Sequence, residues 1–212
     1  MATNTVPFTA KGSATPGRWI IMGWAVVRED LGTFVLITLI AGALWVAVGF
    51  TVVGHFLVGG PLATGLFIAT RRRMLEGRVE ISDLFSGFNL FVDSLLVCLF
   101  TTVFELVGFV LCVLPFFFVA AFYLFPYLFL ADRRLSFWDA MEASRKTAGR
   151  DILGYMVFVF LLVLLNLVGL MLAGVGLLIT IPVSVAAIAV AYGEVVGFQS
   201  QVRAAHGPII IP

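Results

Sequence analysis

Three blocks of the chain run for about 40 residues each almost without charge, and a helix needs about 20 apolar residues to cross a bilayer core. Leu31 to Thr70 carries no Asp, Glu, Lys or Arg, Ser94 to Ala131 carries only Glu105, and Ile152 to Gly193 carries none. Each block is therefore two spans long. The runs are continuously apolar, unlike the alternating strands of roughly ten residues that build membrane barrels. The expectation is an all-α integral membrane protein with six transmembrane helices arranged as three hairpins, about 31–70, 94–131 and 152–197. Composition agrees, since 61% of the 212 residues are hydrophobic and only 12% charged, outside the balance of a soluble domain. Residues 18–197 read as one membrane domain, with 1–17 a flexible cytoplasmic tail and 198–212 a cytoplasmic C-terminal tail. The segment before Arg18 has no apolar core of its own, so it reads as a tail and not a cleavable signal.

Glycine and proline punctuate each block near its middle, which places turns at "HFLVGGPLATG", "GFVLCVLP" and "LAGVG". None of these turns holds Lys or Arg. The 13 basic residues lie elsewhere: Lys11, Arg18 and Arg28 first, then Arg71, Arg72, Arg73 and Arg78, then Arg133, Arg134, Arg145, Lys146 and Arg150, and last Arg203. Short basic loops stay cytoplasmic, and a six-span path with both termini inside puts all of them on that side. This threading leaves a short second span, because only about ten residues separate Pro61 from Arg71, and the arginines must snorkel to the interface. Arg71, Arg72 and Arg73, with Arg145 and Lys146, are the candidate contacts for anionic lipid. A nucleic-acid partner is not expected, since the net charge is +1 and Glu76, Glu80 and Asp83 interleave with the arginines.

Each hairpin follows a short aromatic and charged segment, expected as an interfacial amphipathic helix: "RWIIMGWAVVREDLG", "VEISDLFSGFNLFVD" and "LSFWDAMEASRKTAGRDILG". Asp30, Asp93 and Asp151 lead into the odd-numbered spans at separations of 63 and 58 residues, which suggests a unit used three times, beside the plainer reading of shared boundary chemistry. In the third segment Ser136 and Asp139 make a capping-box-like start. Phe137, Ala140, Met141, Ser144 and Ala148 then share one face, with Asp139, Glu142, Lys146 and Arg150 on the other. The four-residue spacing of Ala140, Ser144 and Ala148 admits a close neighbour.

Polar residues inside the spans are few. Ser94, Cys98, Thr101, Glu105, Gly108 and Cys112 follow at steps of 4, 3, 4, 3 and 4, which lines them up on one face of the third span. An isolated carboxylate at bilayer depth is costly, so Glu105 is expected as a protonated acid hydrogen-bonded to a neighbouring helix, with a proton or cation site as the alternative. Thr101 shares its face. Asn166, beside Gly169 and Ala173, reads as glue between helices, and Glu194, beside Ala187 and Ala191, as an interfacial acid. His55 near the outer turn and Asn89 near the inner surface receive no site. Cys98 and Cys112 stand about 21 Å apart along one helix, too far for a disulfide. His55 and His206 are the only histidines, and neither has a metal-ligand neighbour. No catalytic residue, metal or cofactor is expected.

The runs "GGPLATGLFIATRRRMLEGRVEISDLFSGF", "FPYLFLADRRLSFWDAMEASRK" and "LLNLVGLMLAGVGLLITIPVSVAAIAVAYGEVVG" resemble a family of uncharacterised bacterial multispanning proteins related to the membrane domain of glycerophosphodiester phosphodiesterases. The resemblance covers about Trp19 to Gly197. It implies a six-helix fold in the bacterial cytoplasmic (inner) membrane and brings no assigned activity. The catalytic barrel of some relatives has no counterpart here, because the spans take up the chain. Together these readings point to a non-catalytic integral membrane component: a scaffold, assembly factor or accessory subunit touching lipid and a protein partner or second copy of itself. The alternative is a small transporter or channel built on the Glu105 face.

Overall fold

In the computed structural model, residues 14–49, 51–111 and 113–199 are described, and among them every regular element is helical. The order is α1 (Pro16–Arg28), α2 (Leu31–Gly49), α3 (Val52–Glu76), α4 (Ser82–Phe85), a 3-10 turn (Ser86–Leu90), α5 (Phe91–Leu111), α6 (Val113–Phe122), α7 (Pro126–Arg133), α8 (Phe137–Ala148), α9 (Ile152–Met171) and α10 (Leu177–Val195). Six stretches are long and apolar enough to cross a membrane: Leu31–Val48, Val53–Glu76, Ser82–Leu111, Leu114–Arg133, Ile152–Met171 and Leu177–Val195.

These helices pack in a ring. Around it, α2 touches α3, α3 touches α5, α5 touches α6, α6 touches α9, α9 touches α10, and α10 closes back on α2. Glycines set several of the contacts. Gly108 of α5 lies against the backbone of Pro115 and Phe116 in α6, and Gly169 of α9 lies against Gly176 and Thr180 at the start of α10. Where helices gain little from excluding lipid, such close approach is how they hold together.

The first predicted turn is corrected. The "HFLVGGPLATG" stretch lies inside α3, a helix of 25 residues that carries Pro61 within it and begins after Thr51, whose side chain accepts the Gly54 N–H. The second span is therefore full length, and no snorkelling is needed to complete it. The reason is tertiary: the glycines are contact points, not turn residues. A Cβ on Gly60 would collide with the Ser94 carbonyl of α5, and one on Gly65 with the Leu84 carbonyl of α4. Thr64 also donates to the Ser94 hydroxyl at 2.9 Å. The third turn falls where expected, with Ala173 and Gly174 at positive φ of 55° and 75°. Cys112, in the second predicted turn, lies outside the described residues, as does His206.

The three segments leading into the blocks differ from one another. α1 lies along α10, with Gly23 so close that a Cβ there would stand 2.6 Å from the Ala187 nitrogen. The second segment is not a separate helix beside the bundle: α4 and the 3-10 turn run down α3 and straight on into α5. The third is the amphipathic helix α8, with Ala140, Met141, Ser144 and Ala148 buried and Ser136 capping the Asp139 N–H. Asp30, Asp93 and Asp151 also do separate jobs. They accept from the Thr33 hydroxyl, from the Phe137 N–H at the start of α8, and from the Ala14 and Gly154 N–H groups respectively.

Inside the ring, at the end where α3 finishes in its arginines, sits α7. The chain breaks between α6 and α7 at Tyr123–Phe125, and the Ser144 hydroxyl repairs the gap by donating to the Phe122 carbonyl and accepting the Phe125 N–H. Phe125, Leu128, Phe129 and Leu130 are all buried, so α7 plugs that end.

Candidate functional site

Away from the plug α3 packs directly on α10, with Leu62 and Ala69 in one buried cluster with Val183 and Ala186, and two clefts open beside that seam. One cavity of about 450 Å³ is walled by α2, α3, α5 and α10, with Tyr123 and Tyr127 beneath it. A second of about 450 Å³ lies between α5, the α6–α7 break, α9 and α10. Together they touch all six ring helices, and both are open clefts and not sealed chambers. Glu105, Tyr123 and Tyr127 line both cavities. Trp45 and His55 stand at the α2–α3 end of the first, where the indole N–H donates to His55 Nδ1 at 3.2 Å.

Among the described residues Glu105 has neither a hydrogen bond nor an ion pair. That corrects the expected bond to a neighbouring helix, and it sets this residue apart, because each of the other 11 of the chain's 12 acidic residues has a polar partner. The helix face read from the sequence does point inward: Ser94, Cys98, Thr101 and Gly108 are buried, and Glu105 is half-buried. Thr101 lines the first cavity while its hydroxyl donates to the Val97 carbonyl at 2.7 Å. The Tyr127 hydroxyl lies beside Thr101 and Cys98, and its ring stacks on Phe67.

Asn166 does act as glue. Its amide donates to the Leu162 carbonyl and to the Ser184 hydroxyl of α10, both at 2.8 Å, while its side-chain oxygen is buried without a partner at the second cavity. Glu194, unlike Glu105, is tied to a neighbouring helix. It accepts from the Trp19 indole at 2.7 Å, and Arg18 Nη2 stands 3.2 Å from its other oxygen, an ion pair without hydrogen-bond alignment. It fastens α1 to the end of α10.

The collar arginines are all engaged within the protein. Arg71 donates to Asp132 at 2.9 Å and lies over the Phe198 ring. Arg72 pairs with Asp83 at 2.6 Å and with Glu76 and Glu80. Arg73 reaches Glu29 at 3.0 Å and the Gly77 carbonyl. Arg145 and Lys146 are exposed and both hold Glu142, at 2.8 and 3.3 Å. The hydrogen bond from Arg145, then that from Lys146, holds the Glu142 carboxyl down at about 2.

Asp132 was not singled out by sequence. Its side chain is fully buried and accepts from Arg71, from the Tyr192 hydroxyl at 3.2 Å and from the Gln199 N–H at 3.0 Å. The signal was present in "LADRR", an acid directly behind an apolar run and beside two arginines. Tyr123 and Tyr127 carried no such signal, because an aromatic in an apolar helix reads as core until the void beside it is known.

The chain is thus a multispan helical membrane protein with two clefts between its helices, both lined by an acid that has no polar partner among the described residues. Among the described residues no three His, Cys, Asp or Glu side chains gather as metal ligands. No family model matches the chain, and no curated protein or solved structure is similar to it.

Proposed function

We propose that this is a small membrane carrier in which Glu105 receives a solute that enters the ring from the end opposite the plug. The observation that carries the reading is the isolation of Glu105: among the described residues it is the one acid without a polar partner, and it lines both cavities. A charged side chain at bilayer depth costs about 2.5 to 3.5 kcal/mol on insertion scales. Nothing in the protein offsets that cost, so a proton or a ligand completes the group. An accessory subunit held by packing alone has no use for such a residue. The carrier is non-catalytic in this reading, since the cavity offers a lone carboxylate with no nucleophile or base bonded to it.

The threading belongs to the same proposal. In the proposed threading three hairpins, with α1 and α8 at the interface, run with both termini and every basic segment on the cytoplasmic side of a bacterial inner membrane, and the cavity faces outward. The one-sided distribution of the arginines supports this. Kinship with the multispanning family named above rests on the three quoted runs.

Cysteine accessibility tests the reading. On a background of Cys98→Ser and Cys112→Ser, Thr102→Cys places a thiol on the cavity wall and Val107→Cys places one on the exposed face of α5. A charged, membrane-impermeant methanethiosulfonate should modify the first from outside and leave the second untouched in lipid. An inert thiol at 102 means a dry interior, and the chain is then an accessory component.

A further inference from the structure

We infer that the solute is a monovalent organic cation with an apolar body, bound with its charge at Glu105 and its body against the apolar wall that Tyr123 and Tyr127 share between the two cavities. The inference rests on the carrier reading and assigns its substrate class.

Charge comes first. The titratable groups lining the two cavities are Glu105, Tyr123, Tyr127, Cys98 and His55, while α2, α9 and α10 contribute none. His55 is bonded to Trp45 at the α2–α3 end. The space therefore holds one carboxylate and no Lys or Arg to balance it, so the complement it lacks is a single positive charge. An anion or a zwitterion would bring a negative group to a wall with no cationic partner for it.

The rest of the wall selects among cations. A hard metal ion such as Ca²⁺ takes about six to eight oxygen ligands. This wall offers one carboxylate, the Asn166 side-chain oxygen, the His55 ring, the Cys98 thiol, a few hydroxyls, and otherwise aliphatic and aromatic carbon, so no oxygen cage of that size is assembled. Trp45, Tyr123 and Tyr127 are the aromatic rings on the wall, the side chains that attract an ammonium or phosphonium whose charge is spread over carbon. Size agrees, because each cavity is about 450 Å³, within the range that encloses a drug-sized molecule. Such a molecule lying across both would meet Glu105 at its centre.

The test uses two ions of matched shape and opposite charge, tetraphenylphosphonium and tetraphenylborate, with the purified protein in one detergent and equilibrium dialysis as the readout. The wild type should bind the phosphonium saturably, one per chain, and show no saturable binding of the borate. Glu105→Gln should weaken phosphonium binding by about tenfold or more, the loss expected for one charge-assisted contact. Glu105→Asp keeps the charge and should retain saturable binding, which separates a lost charge from a misfolded chain. Equal binding of the two ions, or phosphonium binding that Glu105→Gln leaves unchanged, overturns the assignment. If Thr102→Cys reacts with the impermeant reagent while the phosphonium fails to bind, the cation class falls and the carrier reading stands. If Thr102→Cys is inert, both fall.

Discussion

The two ends of the helix ring are built on different physics. At the plugged end polar groups are buried and joined: the Asp132 side chain has no exposed surface and takes Arg71, Tyr192 and the Gln199 backbone, while Asp83 takes Arg72 and the Glu80 N–H. At the other end clefts lie between the helices, their outer faces are apolar and exposed, as at Val110 (76%) and Met171 (74%), and Glu105, which lines both clefts, has no partner among the described residues. Lipid chains are as apolar as leucine, so helices immersed in them are not driven together by the hydrophobic effect. Where charges can be paired near the aqueous edge, pairing closes the bundle. Where they cannot, the bundle is free to stay open, and a cavity can be kept there.

The largest test of this contrast is Arg71→Ala. It takes the 2.9 Å partner from buried Asp132 and leaves only Arg133 at 4.0 Å, and removing one member of a buried pair costs up to about 3 to 5 kcal/mol. Thermal unfolding in detergent should show the loss, and a change within the noise would mean that the plugged end is held by α7 packing alone. Next comes Gly65→Ala, which drives a methyl into the Leu84 carbonyl and should cost about 1 to 3 kcal/mol as α4 is pushed off α3. Its measure is again unfolding, and no loss would mean that the α3–α4 contact is loose.

At the cleft end the expected sign is different. Glu105→Leu removes an acid that no side chain holds, so stability should change by less than about 1 kcal/mol or rise, even as cation binding disappears. A loss comparable to that of Arg71→Ala would erase the distinction between the two ends. The smallest effect belongs to the exposed pair of α8. The folded Glu142 carboxyl is lowered, so its contribution is complete above the ordinary carboxylate range and is lost as the pH falls toward about 2. Amide exchange in α8 should therefore be indifferent to pH near neutrality, after correction for intrinsic rates, and lose protection only in acid. Lys146→Gln should shift it little, since solvent and salt screen so exposed a pair.

Much of this architecture was legible in the chain. Charge-free runs of span length dictate membrane helices because backbone groups in hydrocarbon must bond within their own segment. The 3.6-residue periodicity of α8 named its buried face, Ala140, Met141, Ser144 and Ala148, before any contact was known. The inward face of α5 was legible for the same reason, since polar and small residues at steps of three and four cannot face lipid. What one dimension could not hold was partnership. Gly59, Gly60 and Pro61 look like a turn until α5 is seen lying on them. Arg71, Arg72 and Arg73 look like lipid contacts until Asp132, Asp83 and Glu29, between 11 and 61 residues away, are found against them. Glu105 looks like an acid bonded to the next helix until the ring closes and leaves it facing empty space. Local geometry is set by neighbours along the chain, whereas pairing and voids depend on which distant segments fold to the same place, and the tertiary structure alone decides that.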